Sequence, residues 1–349
     1  MRLLVVVPCR DEASLVGRRI ANLALCAWPA SREPHRVVVV DDGSRDGTGA
    51  AAAVAIAEHF AARSDVEARV VANEVRPGKP GAVRAGLAQG AAESDLVVLT
   101  DADVVLEPHA LVELARAFER DPRLALACGA QRFVADLAAD GTCRARDGGE
   151  PRDAGGTFDR WTAVVRRLES RAGILFSVHG QLAAWRADLD LAPTIGVAAD
   201  DVDLRFQVKA RDHEPRRVEL VPAARFLEVK TPAGPGREAQ AARRARAWFQ
   251  VVRRGPIPAR GVLETIQAWA YRAGPRAAPM ATWCAVPAMS AILFLLGARS
   301  LALASLASGV ALALTPLGRS WIRLVRTIAA ASRAERREPV PERWETPRA

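Results

Sequence analysis

The sequence is poor in aromatic residues and in lysine, and both shortages limit the partners it can bind. Aromatic residues make up only 5% of its 349 residues. Single-stranded nucleic acid is bound on stacking platforms of aromatic side chains, so the composition argues against a nucleic-acid partner. The net charge of +9 comes almost entirely from arginine. Such a charge suits a phosphate-bearing ligand or an anionic membrane face.

The sequence also lacks the usual cysteine and histidine motifs. Its five cysteines form no CxxC pair, and its five histidines form no HExxH motif. We therefore expect free thiols in a reducing compartment, not a disulfide framework or a zinc site. We also expect no signal peptide, because the first apolar run, Leu3–Val7, is too short and leads directly into polar residues.

Short apolar runs alternate with helical patterns over the first hundred residues. The predicted strands are Leu3–Val7, Val37–Val40, Arg69–Ala72 and Leu96–Leu99. Helices are predicted around Leu15–Leu23, over Thr48–Phe60 and over Ala82–Ala91. This alternation predicts an α/β fold with a mainly parallel sheet and helices on both faces. Ligands of such sheets gather at the carboxyl ends of the strands.

The pattern changes in the middle of the chain. Residues 136–159 are rich in glycine, aspartate and arginine and lack apolar periodicity, so we predict a flexible loop, either a surface insertion or an active-site lid. Regular structure is predicted to resume at Trp161–Phe176. A strand follows at Arg217–Val221 and an arginine-rich helix at Arg237–Arg254. The N-terminal domain is therefore predicted to cover residues 1–255.

The C-terminal part contains two long uncharged runs within residues 277–318, separated by Arg299. Their length predicts a two-helix transmembrane hairpin, with a buried core hairpin as the alternative. Residues 256–276 are predicted to form either an interfacial helix or a packed helix of the soluble domain. Residues 319–349 are basic and are predicted to be disordered. Arginines flank the hairpin at both ends, which favours a cell-membrane protein whose N-terminal domain is cytoplasmic.

Polar motifs follow the first two predicted strands. The first strand continues into Pro8, Arg10 and Glu12 of PCRDE, where neither a GxGxxG nor a glycine-rich GTR loop is present. The second strand ends at Asp41 and Asp42 of DDGSRDGT. Two carboxylates at the tip of a buried strand are costly unless they bind something. The N–H groups of uracil or guanine are suitable donors for them.

Two further motifs follow the third and fourth strands. Lys79 lies in RPGKPG, which offers a cation and backbone N–H groups for a diphosphate, although an ordinary solvated loop has the same composition. Asp101 and Asp103 end the run LVVLTDAD. Mg²⁺ and Mn²⁺ are commonly shared between one or two carboxylates and substrate phosphates, so this pair is a candidate metal site.

These motifs together resemble the family 2 glycosyltransferases. The matching segments occur in family order over about the first 250 residues: VVVPCRDE, VVVVDDGSRDGT, NEVRPGKPGAVRAGL, LVVLTDADVVLEP, HGQLAAWR and AADDVDL. The resemblance implies a GT-A fold, which is Rossmann-like. In this sequence the fold would be followed by the predicted helical membrane hairpin. It implies that Asp41 or Asp42 contacts the nucleotide base, and that Asp101 and Asp103 hold the metal and the donor phosphates.

The resemblance also places Asp201 at the position of the catalytic base, with Asp200 beside it. Taken alone, these residues and Asp203 are better explained by an acid-rich helix N-terminus. Processive members of the family carry QxxRW, from which this sequence departs. Its arginines Arg243 and Arg244 are predicted to contact the donor diphosphate, and Glu228 is left open as an additional metal ligand.

The predicted function is inverting transfer of a sugar from a UDP- or GDP-sugar to a lipid or lipid-linked acceptor, with Mg²⁺ or Mn²⁺ as cofactor. Two alternatives remain at this point. A sugar-nucleotide nucleotidyltransferase on a similar fold would release pyrophosphate instead of nucleoside diphosphate. A membrane-anchored scaffold would keep the fold without activity.

Overall fold

The computed structural model describes residues 1–211, 216–232 and 234–337. Within these ranges it describes all side chains except those at 275, 276, 278–284, 312, 316, 317, 320, 324 and 335–337. The chain divides into two compact units, Met1–Ala233 and a second that begins at Gly234. The arginine-rich helix predicted within the N-terminal domain belongs to the second unit, because it packs against the last helix of the chain.

The first unit contains one eight-stranded sheet. Its strands are β1 (Leu3–Cys9), β2 (His35–Asp41), β3 (Val66–Ala72), β4 (Leu96–Thr100), β5 (Val104–Leu106), β6 (Leu124–Val134), β7 (Leu182–Arg186) and β8 (Arg217–Val229). Their order across the sheet is β3-β2-β1-β4-β7-β6-β8-β5. Strands β1 to β4 are mutually parallel where they pair. Strand β7 runs antiparallel to both β4 and β6, and β5 runs antiparallel to β8.

The sheet is therefore mixed but mainly parallel, as predicted: six of its eight strands run in one direction, and β5 and β7 run in the other. Six helices accompany it: α1 (Ala13–Leu25), α2 (Thr48–His59), α3 (Lys79–Leu87), α4 (Ala110–Arg120), α5 (Thr157–Arg171) and α6 (Asp200–Ala210). The four early strands agree with the predicted apolar runs. Strands β5 to β7 were not predicted as such.

The core consists of two apolar layers, one on each face of the sheet. Leu3, Val5 and Val7 of β1 point into a layer with helices α1, α2 and α4. Leu4 and Val6 point into the opposite layer, which contains residues of α3 and α6. Because both faces are covered, β1 is apolar at every position, as is typical of a central parallel strand. This arrangement confirms the predicted α/β fold with helices on both faces.

The predicted loop at 136–159 is largely irregular backbone. Within the described part of the chain, its one isolated β-bridge pairs Asp153 with Val134 of β6. Helix α5 begins at Thr157, inside the predicted loop, with the Asp159 carboxylate accepting the N–H of Gly156 at its N-terminus (2.8 Å). The loop's predicted flexibility stays a prediction.

The second unit contains four helices: α7 (Pro235–Arg254), α8 (Gly261–Leu295), α9 (Arg299–Leu314) and α10 (Pro316–Arg337). Helix α7 packs against α10, and α8 packs against α9. Residues 261–276 of the predicted interfacial segment and most of the first half of the predicted hairpin form one continuous helix, α8. Over the residues that the structure describes, no helix is both long and apolar enough to cross a membrane.

The C-terminal tail predicted to be disordered from residue 319 is helical as far as Arg337. Ile322, Val325 and Ala329 recur at helical spacing within it, and Val325 is buried. This apolar stripe gives α10 a face to pack with, which the arginine-rich composition obscured. Residues 338–349 of the predicted tail lie outside the described residues.

The cysteines agree with the predicted free thiols where the structure describes them. Cys9, Cys26, Cys128 and Cys143 are unpaired, whereas the side chain of Cys284 lies outside the described residues. Burial raises the pKa of Cys128 to about 11. Such a thiol stays protonated near neutral pH and is a poor nucleophile.

Candidate active site

The carboxyl ends of β1, β2 and β4 bring three of the predicted motifs to one edge of the sheet. These strands are adjacent and parallel, and Cys9 at the end of β1 pairs with Asp41 at the end of β2. The backbone N–H of Asp42 donates to the Cys9 carbonyl at 2.9 Å, which ties the two strand ends together. The candidate site therefore lies at the edge where ligands of such sheets bind.

Lys79 forms ion pairs with two carboxylates at this edge, one on each side of it. Its Nζ lies 2.9 Å from Oδ1 of Asp101 and 3.1 Å from Oδ2 of Asp200. Burial disfavours the charged ammonium, but attraction to Asp101 and Asp200 outweighs it and raises the pKa of Lys79 above its ordinary value. The lysine predicted to bind the donor, an aspartate predicted to hold the metal and the aspartate beside the predicted base thus meet at one point.

Asp101 and Asp103 occupy the turn between β4 and β5. Burial raises the pKa of Asp101 to about 6, and repulsion from Asp103 acts in the same direction against the attraction of Lys79. A divalent cation would offset both the cost of burying the charged Asp101 carboxylate and its repulsion from Asp103. Among the described residues, no group of three or more histidine, cysteine or acidic side chains forms a complete metal cage. Two carboxylates at one turn suit a hard cation that completes its shell with substrate phosphate oxygens and water.

A buried polar network lies beneath this turn and was not predicted. The guanidinium of Arg19 is fully buried and donates to Oγ1 of Thr100 (2.8 Å), Oδ1 of Asn22 (2.8 Å) and the carbonyl of Val104 (3.3 Å). Asn22 in turn accepts the N–H of Leu106 and donates to its carbonyl. Burial lowers the pKa of Arg19 to about 10, so it stays charged at neutral pH. The network fixes both sides of the turn that carries the two carboxylates.

Helix α6 begins at Asp200 and presents two carboxylates to the site. Ser177 Oγ donates to Oδ2 of Asp201 at 3.4 Å, and the N–H of Val202 donates to its Oδ1 at 2.9 Å. Burial raises the pKa of Asp201 to about 6, and the neighbouring Asp200 adds to the shift by repulsion. The third acidic residue differs, because Asp203 accepts hydrogen bonds from the N–H and Oγ1 of Thr194. Asp203 therefore has a structural role, which separates it from the other two.

The segment His179-Gly180-Gln181 (HGQ) lies against this cluster. A Cβ added to Gly180 would lie 3.6 Å from both Lys79 Nζ and Asp201 Cβ. Nε2 of Gln181 donates to Oε2 of Glu228 at 3.3 Å. Glu228 pairs in register with Val104, immediately after Asp103, and is buried. Its carboxylate is thus placed beside the predicted metal turn and is held there by amide donors.

The Asp42 carboxylate is hydrogen-bonded by other residues of the protein. Its carboxylate accepts the N–H of Gly78 (2.8 Å to one oxygen and 3.0 Å to the other), the amide of Asn73 (2.5 Å) and the guanidinium of Arg10 (3.2 Å). Asp41 lies half-buried, and its Oδ1 accepts the N–H of Ser44 at 2.9 Å. Asp42 therefore positions the loop before Lys79, and contact of either residue with a nucleotide base stays a prediction.

The remaining predicted donor residues divide between the two units. Pro8 is buried within β1, and Glu12 is buried at the start of α1, with its N–H donating to Oγ1 of Thr48 at 2.8 Å. Both lie in the first unit, at the edge that carries the carboxylates. Arg243 and Arg244 lie on α7 in the second unit, and their contact with the donor stays a prediction.

The loop that delivers Lys79 depends on Gly81, and we expect Gly81→Ala to disrupt it. The added Cβ would lie 1.8 Å from the Arg76 carbonyl oxygen, so the backbone must move. We expect a loss of more than about 2 kcal/mol in the free energy of unfolding, measured by denaturant titration. The control is Gly17→Ala in α1, whose Cβ meets no atom within 4 Å. It should be neutral or stabilising by up to about 1 kcal/mol; equal losses in both variants would contradict the close contact.

The fold and this cluster define an α/β enzyme whose acidic, lysine-bridged site lies at the ends of parallel strands. Residues 4–150 match the model of Glycosyl transferase family 2. This match covers about two fifths of the chain, and together with the structural likeness described next it supports a family 2 glycosyltransferase with the GT-A fold. No match to a curated protein was found.

Two solved structures are similar to this chain. The chain is similar to the mannosyltransferase PcManGT from Pyrobaculum calidifontis, solved with GDP-Man and Mn²⁺, with a TM-score of 0.72 and 25% identity over 96% of this chain and 86% of that one. It is also similar to glucosyl-3-phosphoglycerate synthase from Mycobacterium tuberculosis, with a TM-score of 0.48 and 18% identity over 75% and 82% of the two chains. The likeness to the mannosyltransferase confirms the GT-A fold.

Proposed function

We propose that this glycosyltransferase moves a sugar from a UDP- or GDP-sugar to an acceptor by a single displacement with inversion. The observation that carries the proposal is the contact of Lys79 with both Asp101 and Asp200 at 2.9 and 3.1 Å. It joins the expected donor side of the site to the carboxylates expected on the acceptor side. A transfer reaction needs these two sides within reach of one anomeric carbon.

The donor diphosphate is proposed to lie between Lys79 and the turn of Asp101 and Asp103. These two carboxylates would hold Mg²⁺ or Mn²⁺, which when bound neutralises charge on the diphosphate. Lys79 supplies a fixed positive charge from the protein itself for the same oxygens. The GDP-Man and Mn²⁺ of the mannosyltransferase structure support this assignment.

Asp201 is proposed as the general base. Its carboxylate would accept the proton of the acceptor hydroxyl as that oxygen attacks the sugar from the side opposite the leaving diphosphate. The burial that raises its pKa to about 6 makes it a better proton acceptor than an exposed aspartate, while it remains ionised at neutral pH. Asp200, held by Lys79, keeps a second negative charge beside it.

The raised pKa of Asp201 predicts a pH dependence. The reaction needs the carboxylate, so at saturating Mn²⁺ and donor, which would keep Asp101 ionised, kcat should fall tenfold per pH unit as the pH drops below about 6, the value to which burial and Asp200 raise the pKa of Asp201. Rates measured between pH 4.5 and 8, with enzyme shown to stay folded across the range, test this. An acid limb near pH 4, the region of an unperturbed aspartate, would contradict the assignment.

The acceptor is proposed to be a lipid or a lipid-linked sugar at the cytoplasmic face of the cell membrane. Support comes from the second unit, where apolar side chains of α8 are exposed: Val262, Leu263, Ile266 and Trp269. Exposed apolar side chains beside arginines are typical of helices that bind a membrane interface. The helical pair α8 and α9 is the proposed membrane hairpin.

This topology predicts that the turn near Arg299 is distant from the cytoplasm. Ser300→Cys, in a background without native cysteines, should react with an impermeant thiol reagent on intact cells if the hairpin spans the membrane. Reaction only after lysis would indicate a hairpin that does not span. Full-length protein that fractionates without membranes or detergent would contradict the membrane assignment.

The proposed reaction is tested by the stereochemistry of its product. The purified full-length enzyme is supplied with GDP- and UDP-sugars, Mn²⁺ and an extract of membrane lipids. The anomeric coupling constant of the product is then measured by NMR. Inversion at the anomeric carbon is expected, because Asp201 is proposed to take the proton of the acceptor hydroxyl and no carboxylate is proposed to attack the sugar. Retention would contradict the single displacement.

A further inference from the structure

An arginine-rich cleft lies beside the proposed base and has no part in the mechanism described above. It has a volume of about 140 Å³ and lies between helix α5 and strand β6. Four arginines line it: Arg132, Arg160, Arg166 and Arg167. All belong to the first unit. The cleft has room for a phosphate-sized group.

The charge of this cleft is positive on balance. The acidic residues among the described residues that line it are Asp153 and Asp159. Each has a basic partner, since Arg160 lies 3.1 Å from Asp153 and Lys230 contacts Asp159. Arg166 and Arg167 therefore add positive charge that these carboxylates do not balance. Adjacent guanidinium groups on one helix are well suited to bind a phosphate through several charge-assisted hydrogen bonds.

The cleft is continuous with the catalytic cluster through the HGQ segment. His179 lines the cleft, and its ring lies 3.0 Å from the guanidinium of Arg166. The next residue, Gly180, is the one that passes against Lys79 and Asp201. Attraction from Arg166 also reaches Asp201, where it opposes the rise in pKa that burial causes. A group bound at Arg166 would thus lie close to the proposed base.

We propose that this cleft binds an anionic phosphate group of the acceptor, with Arg166 and Arg167 as its principal ligands. This inference rests on the proposed function, because it names the acceptor class of the same site. The phosphate would hold the acceptor so that its attacking oxygen faces Asp201. The same chemistry is offered by a soluble phosphate ester and by a lipid phosphate, and the experiment separates them.

The test measures phosphate binding with the donor site filled. Full-length enzyme is saturated with Mn²⁺ and GDP or UDP, and is then titrated with glycerol 3-phosphate in a calorimeter. In parallel, it is sedimented with phosphatidylcholine vesicles with and without phosphatidic acid. The double variant Arg166→Gln/Arg167→Gln should weaken the phosphate-dependent binding about 10- to 100-fold. The matched control is Arg171→Gln, an exposed arginine of the same helix outside the cleft.

The outcomes separate the proposal from the function on which it rests. Arginine-dependent binding of glycerol 3-phosphate supports a soluble acceptor, and arginine-dependent binding to phosphatidic acid alone supports a lipid acceptor. Equal weakening by Arg171→Gln, or unchanged binding in the double variant, overturns the cleft assignment. Loss of nucleoside diphosphate binding in the double variant also overturns it, since the arginines would then serve the donor. Failure of the wild type to bind any nucleoside diphosphate overturns the proposed function, and phosphate binding in the cleft remains measurable without it.

Discussion

Replacing Asp201 with asparagine should lower kcat about 10²- to 10⁴-fold, the range typical of a lost general base. Asparagine keeps the shape of the side chain but cannot accept the proton of the acceptor hydroxyl. Donor binding should survive, because the variant leaves in place Asp101 and Asp200, the two carboxylates that hold the Lys79 ammonium at 2.9 and 3.1 Å. Transfer is measured under saturating donor, and nucleoside diphosphate affinity is measured separately by calorimetry.

The control for this variant lies on the same helix. Asp203→Asn removes a carboxylate that accepts two hydrogen bonds from Thr194, so it should lower the melting temperature and leave kcat of the folded enzyme nearly unchanged. If Asp201→Asn retains most of its turnover, another residue is the base, and Asp200→Asn is the next variant to measure.

Replacing Asp103 with alanine should abolish the Mn²⁺-dependent part of nucleoside diphosphate binding, a weakening of about 100-fold or more. The cation would lose one of the two protein carboxylates proposed to hold it, and the diphosphate would lose the charge that the cation supplies. Calorimetric titration of GDP and UDP, each with Mn²⁺ and with EDTA, measures the effect. In EDTA, the variant and the wild type should bind equally weakly.

Glu119→Gln provides the matched control for the metal variant. Glu119 is an exposed carboxylate of α4, and its loss should leave the Mn²⁺ dependence unchanged. Wild-type affinity that is identical with and without EDTA would remove the metal from the proposed function. The base role of Asp201 would remain testable by the first variant.

The candidate site was largely predictable because its residues follow consecutive parallel strands. Residues that end β2 and β4 must lie at the same edge as those that end β1, so DDGS and DAD could be placed together from the order of the apolar runs. Lys79 could be placed near them because it begins the helix after β3. Its contact with Asp200 could not be predicted, because it depends on how α6, some 120 residues later, packs on the sheet.

The buried network under the DAD turn was missed, although a signal for it was present. Arg19 lies between Val16 and Ile20 on the apolar face of α1. A charged residue on such a face must find partners inside the protein, which here are Thr100 and the turn itself. Glu228 was left open because its neighbour Val104 is more than 100 residues away, and only the pairing of β5 with β8 brings it to the turn.

Chain composition misled the prediction for the C-terminal part. Arginine is frequent throughout the chain, so a run of arginines in residues 319–337 did not indicate disorder. The helical spacing of Ile322 and Val325 was the more informative feature, since α10 buries Val325. Similarly, the boundary at residue 255 followed the end of the family motifs, whereas the packing of α7 with α10 assigns α7 to the second unit.

The central claim is that sugar transfer occurs at the cluster of Lys79, Asp101, Asp103 and Asp201. Its most direct test is to identify the nucleotide product released from GDP- and UDP-sugars with Mn²⁺ and membrane lipid extract. The wild type should release nucleoside diphosphate in step with sugar incorporation, and Asp103→Ala and Asp201→Asn should each lose it. Nucleoside diphosphate release at the wild-type rate by both variants, or release of pyrophosphate from a nucleoside triphosphate and a sugar phosphate instead, would contradict the claim.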